Sequence, residues 1–193
     1  MQILDTFTSI IAIDHIDVDN LSLEHFCKDQ IYKSEHYKNL KETQSNLLDL
    51  NSPELAELIK LVESKVNQVH IEVGLSPNYA QKISMAWANL NDPRETRQPH
   101  HHAECVFSCV YYVKGTETSG DIEFMTPIAA KGHVFTPKHI STYNKFTSSE
   151  YHVSPIPGRL LIFPSWLYHY VNQNKSNEER ISIAFNTVFE KLL

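Results

Sequence analysis

The spacing of the apolar residues changes once along the chain, near residue 78, and this change constrains the fold more than any other feature. Before it, six apolar residues recur at intervals of three and four: Leu55, Leu58, Val62, Val66, Val69 and Val73. This spacing predicts one amphipathic helix, with Ser52 and Pro53 suited to its start and Gly74 to its end. We interpret the apolar stripe as a face that packs on a sheet.

After residue 79 the apolar residues alternate with small or polar ones, which is the pattern of β-strands. Ile83, Met85 and Trp87 begin this pattern and are expected to share one face. Further short strands are predicted at Val106–Val113, Asp121–Met125, His133–Thr136, Tyr151–Ile156, Arg159–Phe163, Trp166–Val171 and Arg180–Phe189.

The part of the chain before the long helix is less regular. A strand is predicted over Phe7–Ile13, and a helix capped by Asn20 or Ser22 follows it. About eight short strands behind one or two helices predict a mainly β fold with flanking helices, namely a double-sheet jelly roll of the cupin-like kind, backed by N-terminal helices.

Composition limits the classes of protein to which the chain can belong. With 193 residues, 41% of them hydrophobic, we expect a single domain over residues 1–193, with a helical front of about 1–78 and a jelly-roll core of about 79–190. A net charge of −6 gives no broad basic field for nucleic acid, and no apolar run approaches the roughly 20 residues that a membrane helix needs. The N-terminus has no basic residue before its short apolar stretch, so we expect a cytoplasmic protein without a signal peptide.

A histidine cluster carries the first chemical signal. His100, His101 and His102 are consecutive, and Glu104 follows. In an extended segment residues i and i+2 point the same way, so either His100 with His102 or His102 with Glu104 supplies two ligands of a facial metal site. The competing interpretation is a solvated loop that happens to be rich in histidine.

Two later segments contain further candidate residues for such a site. His169 follows the apolar strand Arg159–Phe163 and is a candidate third ligand, although a histidine between two tyrosines is more often a core or surface residue. Arg180 and Ser182 share one strand face, where a guanidinium and a hydroxyl form a fork for a small carboxylate. The alternative for Arg180 is a surface ion pair with the glutamates that precede it.

Taken together, these segments resemble the iron(II)- and 2-oxoglutarate-dependent oxygenase superfamily, and within it the branch named putative 2OG-Fe(II) oxygenases. That branch shares a Trp-x-Asn strand, an H-x-H pair followed by a V-Y-Y strand, and a G-x-[IL]-x-F-x-x-P hairpin. It also shares a P-G-x-L-x-x-F-P-S-x-x-x-H segment and an R-I-S-x-x-F-N strand. The corresponding segments here are Trp87–Asn89, His100–Tyr112, Gly120–Pro127, Pro157–His169 and Arg180–Asn186.

The resemblance implies a double-stranded β-helix and a role for each matched residue. His100, His102 and His169 would hold Fe(II), with Glu104 as a reserve ligand. Arg180 and Ser182 would bind the distal carboxylate of 2-oxoglutarate, and the hydroxyl of Tyr112 would assist. The partners implied are 2-oxoglutarate, dioxygen and an unidentified substrate, with a prolyl or other protein side chain as one candidate, in the cytoplasm of a microbe or a virus-infected cell.

The chain departs from the superfamily in its first ligand pair. Most members use H-x-D or H-x-E, whereas the alignment to the branch pairs His100 with His102 and places no carboxylate there. The register His102-x-Glu104 would restore a carboxylate, but it leaves little chain for a turn into the next strand. A cupin-like metal-binding protein without 2-oxoglutarate, and a jelly-roll module without enzymatic activity, are the alternatives to an oxygenase.

Overall fold

The computed structural model describes residues 1–4, 6, 8–34, 41–43, 45–128, 131–134 and 136–192. Within these residues two antiparallel sheets are backed by two long helices. The strands are β1 (Ala12–His15), β2 (Tyr79–Asn91), β3 (Arg97–His100), β4 (Phe107–Lys114), β5 (Ile122–Met125), β6 (Glu150–Val153), β7 (Arg159–Pro164), β8 (His169–Val171) and β9 (Arg180–Lys191). The helices are α1 (Asn20–Lys33), α2 (Pro53–Glu72) and the single turn α3 (Lys131–Val134), with 3₁₀ turns at Leu47–Leu50 and Pro137–His139.

The two sheets face each other as in a jelly roll. The larger sheet has the strand order β1-β7-β4-β9-β2, and the smaller one has the order β3-β8-β5-β6. Apart from the neighbours β5 and β6, adjacent strands are not consecutive in the chain, so most pairings join distant parts of the sequence. The prediction of a mainly β jelly roll with flanking helices is confirmed.

Helix α2 forms as the apolar spacing predicts. Leu55, Leu58, Val62 and Val66 are fully buried in the cluster that lies between the helices and the larger sheet. Val73, in contrast, is 41% exposed, because the helix ends at Glu72 and Gly74 turns the chain away with a positive φ. The end of the predicted stripe was therefore one residue too far.

The cap of α1 also differs from the prediction. Neither Asn20 nor Ser22 caps it; Asp19 does, since its carboxylate accepts hydrogen bonds from the backbone N–H groups of Leu21 and Ser22, both at 3.1 Å. A carboxylate satisfies these end donors and also suits the positive end of the helix.

Three predicted strands need correction. The predicted strand His133–Thr136 is wrong, because Lys131–Val134 forms a helical turn that begins with a hydrogen bond from Lys131 N–H to the Ile128 carbonyl; residue 135 lies outside the described residues. The first strand is Ala12–His15 rather than Phe7–Ile13, and Phe7 is also outside them. Pairing near Trp166 starts only at His169, because Leu167 N–H closes a turn onto the Pro164 carbonyl.

A β-bulge in β2 changes which residues reach the inside of the jelly roll. The pairing of β2 with β9 shifts between Ile83 and Met85, so Ser84 is an extra residue. Ile83 packs on the helical side, whereas Trp87, two pairs beyond the bulge, lines the cavity between the sheets. The expectation that Ile83, Met85 and Trp87 share a face is wrong for this reason. No helix in the described part of the chain is both long and apolar enough to cross a bilayer.

Candidate metal and anion site

A cavity of about 120 Å³ lies between the two sheets, with three histidines at one end. His100 ends β3 and pairs across the sheet with His169, the first residue of β8. His102 follows β3, and its backbone N–H donates to the carbonyl of Ser165, just after β7. Strand pairing and this turn therefore bring together imidazoles that are about 70 residues apart in sequence.

The three imidazoles form a group of metal-ligand size. Their candidate ligand nitrogens all lie within 4.8 Å of one another. The ring centroids of His100 and His169 are 4.4 Å apart, and His102 lies 5.3 Å from each of them. Small side-chain movements would bring three nitrogens at this spacing to the roughly 2 Å distance from one ion that is typical of imidazole ligands.

Hydrogen bonds assign a tautomer to two of the rings. Nδ1 of His100 lies 2.8 Å from the Gln98 carbonyl, and Nδ1 of His169 lies 2.9 Å from the Leu167 carbonyl. A carbonyl only accepts, so both Nδ1 atoms carry the proton and both Nε2 atoms keep a lone pair. This is the tautomer that a metal ligand needs.

The third ring is held by an amide. Nδ1 of His102 lies 2.9 Å from Asn186 Nδ2, and Ser108 Oγ lies 2.8 Å from Asn186 Oδ1 and 3.0 Å from Ser165 Oγ. In this orientation the amide donates to His102 and places the ring proton on Nε2. Rotating the amide by half a turn makes Asn186 accept from His102 Nδ1–H and donate to Ser108, which frees Nε2 for a metal.

The surroundings keep His102 and His169 neutral. Burial and the neighbouring imidazoles lower the pKa of His102 to about 4, and burial lowers the pKa of His169 to about 3. Trp87 stacks on His102 with centroids 5.4 Å apart, and Phe163 meets His169 edge-on at 4.9 Å. A neutral imidazole keeps one nitrogen lone pair, so these buried rings are available as metal ligands.

The other candidate residues of the histidine segment lie outside this group. Glu104 is exposed, with a left-handed φ of 62°, and it is not among the side chains that converge. His101 stacks on Tyr168 at 4.6 Å and is also exposed.

The opposite end of the cavity is built for an anion. Arg180 is 3% exposed, and it donates from Nη1 to the Gly120 carbonyl (3.0 Å) and from Nη2 to Asn91 Oδ1 (2.7 Å). Its Nε is buried without a hydrogen-bond partner among the described residues. Arg180 is therefore not in the ion pair with the preceding glutamates that the sequence left open; one of these, Glu179, pairs with Lys28 instead.

Tyr112 and Ser182 line the cavity between the two ends. They are direct partners in the pairing of β4 with β9, so they share one row of the sheet. The guanidinium carbon of Arg180 lies 6.0 Å from the centroid of the Tyr112 ring. Burial raises the pKa of Tyr112 to about 12, so its phenol stays protonated and able to donate.

Three residues line the cavity or support it without belonging to the predicted ligand set: Trp87, Asn186 and Arg97. Trp87 and Asn186 were read only as parts of strand motifs. Arg97 belongs to none of the sequence motifs. It is the first residue of β3 and lines the cavity, while Arg94, three residues earlier, is exposed.

The comparisons with known proteins agree with this geometry. Residues 85–186, more than half of the chain, match the sequence model of the family described as "Putative 2OG-Fe(II) oxygenase". No curated protein matches the chain in sequence.

Solved structures share the fold at low identity. HygX from Streptomyces hygroscopicus, with nickel and 2-oxoglutarate bound, has a TM-score of 0.63 at 11% identity, over 93% of this chain and 83% of HygX. A prolyl-4-hydroxylase from Pseudomonas putida has a TM-score of 0.54 at 14% identity, over 95% of this chain and 89% of that one. A 2OG-Fe(II) oxygenase family oxidoreductase from Burkholderia pseudomallei has a TM-score of 0.52 at 13% identity; the match covers 72% of this chain, which spans only 57% of that protein. At these identities the likeness establishes the fold, a double-stranded β-helix.

Proposed function

We propose that this chain, which belongs to the 2OG-Fe(II) oxygenase family, is an iron(II)- and 2-oxoglutarate-dependent dioxygenase that hydroxylates its substrate and releases succinate and carbon dioxide. One observation carries the proposal. Three imidazoles, whose candidate ligand nitrogens lie within 4.8 Å of one another, share a cavity with the buried Arg180, and Nε–H of this arginine has no hydrogen-bond partner among the described residues. A cation site and an anion site in one cavity of this size suit a small anion that also coordinates the metal.

In this proposal His100, His102 and His169 hold the iron. The donor set fits, because the Nδ1 atoms of His100 and His169 donate to carbonyls and leave Nε2 available, and the amide of Asn186 can impose the same tautomer on His102. When bound, iron and 2-oxoglutarate supply the oxidation itself, by decarboxylating the keto acid with dioxygen. The chain supplies the metal ligands, orients the cosubstrate and lines the site with apolar side chains.

Arg180, Ser182 and Tyr112 are proposed to hold the distal carboxylate of 2-oxoglutarate. Arg180 Nε–H, which has no hydrogen-bond partner among the described residues, and the protonated phenol of Tyr112 are both available as donors. A carboxylate between them would satisfy buried donors that otherwise cost free energy. Because guanidinium is charged at all physiological pH values, this binding needs no proton transfer.

The absence of a carboxylate from the histidine group affects the choice of metal. Three neutral imidazoles leave the full charge of the ion to be balanced by the cosubstrate, so binding of the dianion and of the metal should be strongly coupled. Imidazole sets also suit nickel, copper and zinc, and these bind more tightly than ferrous iron. We therefore expect 2-oxoglutarate to raise the affinity for iron.

Strand pairing also supports a single oxygenase domain over residues 1–193, which we include in the proposal. Strand β1, from the helical front, pairs with β7 of the core, and α1 and α2 pack on β2. The front therefore contributes a strand and a covering layer to the jelly roll.

For the substrate we propose a protein side chain, with prolyl peptides as the first class to test. A prolyl-4-hydroxylase is among the proteins that share the fold over nearly the whole of both chains. Tyr168 directly precedes His169 in the chain and stacks on His101, and it is about half exposed, as is Trp166. Both rings offer flat apolar contacts to an extended peptide.

The test is a titration of 2-oxoglutarate into Fe(II)-loaded protein under nitrogen, followed by succinate measurement after oxygen is admitted with panels of prolyl peptides and metabolites. We expect one iron per chain, a visible metal-to-ligand absorption band and succinate formation. His169→Ala should bind no iron, whereas the exposed His101→Ala should behave as wild type. Stoichiometric iron in His169→Ala would refute the ligand assignment, and iron binding without any 2-oxoglutarate band would indicate a cupin-like metal protein instead.

A further inference from the structure

The arginine end of the cavity holds a second guanidinium that the proposed roles do not use. Arg97 is the first residue of β3 and lines the same cavity as Arg180. Its Nε and Nη2 atoms are buried and have no hydrogen-bond partner among the described residues, as is also the case for Nε of Arg180. Three buried guanidinium donors in one cavity are therefore unsatisfied.

The charges along the cavity wall point to an anion. The Arg, Lys, Asp and Glu side chains that line it among the described residues are Arg97, Arg180 and Glu42, so positive charge among these is in excess by one. Burial lowers the pKa of Arg180, Tyr112 opposes this effect, and the neighbouring charge of Arg97 lowers the pKa further, so the two guanidiniums lie close enough to repel each other. Like charges that share a buried cavity are stable only when an opposite charge lies between them.

We propose that Arg97 and Arg180 bind the distal carboxylate of 2-oxoglutarate together, so that the anion lies between two guanidiniums rather than on one. This inference rests on the proposed function and extends its cosubstrate site by one residue. It assigns Arg97 to cosubstrate binding and not to the loop surface.

Strand register places Arg97 at the cosubstrate end and not at the metal end. In the pairing of β3 with β8, His100 lies opposite His169, whereas Arg97 lies opposite Val171. Val171 pairs in turn with Ile122 of β5, two residues after Gly120, whose carbonyl accepts from Arg180. Arg97 and Arg180 thus reach the same end of the cavity from opposite sheets, on the side away from the histidines.

The experiment compares two ligands that differ only at the distal end. 2-Oxoglutarate and 2-oxopentanoate, which has a methyl group in place of the distal carboxylate, are titrated calorimetrically under nitrogen into Fe(II)-loaded wild type, Arg97→Gln and Arg180→Gln. Arg94→Gln, an exposed arginine three residues away, is the matched control. Thermal midpoints verify that each variant is folded, and Arg97→Lys, which keeps the charge but not the planar fork, provides a milder change at the same position.

We expect Arg97→Gln to weaken 2-oxoglutarate binding at least tenfold and to leave 2-oxopentanoate binding within about twofold, as for Arg180→Gln. Arg97→Lys should be intermediate and Arg94→Gln unchanged. Unchanged 2-oxoglutarate affinity in Arg97→Gln, or an equal loss for both ligands, would overturn the inference and leave the proposed function standing. A wild-type protein that binds iron but not 2-oxoglutarate would instead refute the proposed function, and the inference with it.

Discussion

The burial of a neutral His169 predicts that the metal-free protein is destabilised by mild acid. Burial lowers the pKa of His169 to about 3 in the folded state, against an unfolded value of about 6.5. Between these two values the unfolded chain binds a proton that the folded chain does not, so the free energy of unfolding falls as the pH is lowered through this window. From these two values, the loss between pH 7.5 and pH 5 is about 2 kcal/mol for this residue alone.

Urea unfolding of the metal-free protein at both pH values measures this loss. The comparison is with His169→Asn, whose amide can keep the hydrogen bond to the Leu167 carbonyl but does not titrate. The free energy of unfolding of His169→Asn should fall by about 2 kcal/mol less than that of wild type over the same pH interval. His102, with its pKa lowered to about 4, contributes with the same sign in both proteins, so the difference isolates His169.

The exposed His101 provides the control, since His101→Asn should lose as much stability on acidification as wild type does. An equal acid loss in His169→Asn and wild type would show that the imidazole is not held neutral by burial. It would also remove the physical reason for treating this ring as a preformed metal ligand.

Three further predictions concern the anion site, the support of the metal site and the core. Arg180→Ala should weaken 2-oxoglutarate binding at least tenfold, since a charge-assisted hydrogen bond contributes about 1.5–3 kcal/mol, while iron content by metal analysis stays at the wild-type level. Asn186→Leu should lower Fe(II) affinity about 10- to 100-fold in a competition assay with a chelator, whereas Asn186→Asp, which accepts from His102 Nδ1–H without any rotation, should retain it. Leu58→Ala should cost about 2–5 kcal/mol in urea unfolding because Leu58 is fully buried, and Glu57→Ala on the exposed face should change little.

Features that depend on short-range spacing could be predicted from the sequence. Helix α2 begins at Pro53 and buries its predicted stripe because a period near 3.6 and a terminal proline act within a few residues. Strand β9 likewise separates Ile181, Ile183 and Phe185 on the helical side from Ser182 on the cavity side, as strict alternation requires.

Features set by pairing between distant strands could not be predicted. Nothing near Arg97 indicates that its strand lies beside Val171, so a place in the cavity could not be predicted for this residue. Asn186 carried no signal of its own either, since its importance comes from the histidine 84 positions earlier that its amide contacts. In both cases the relevant partner is defined by sheet register rather than by local composition.

The bulge at Ser84 shows how one residue decides what the cavity contains. Side chains alternate strictly along a strand, so without an extra residue Trp87 would lie on the same face as Ile83 and pack under the helices. The shift instead buries Ala86 and Ala88 against the helices, where small side chains let them pack closely, and turns Trp87 toward His102. The indole then covers one face of this imidazole and shields it from water, which contributes to the burial that keeps the ring neutral. Which side chains line the site therefore depends on a register shift. The alternation of apolar and polar residues does not reveal where that shift occurs.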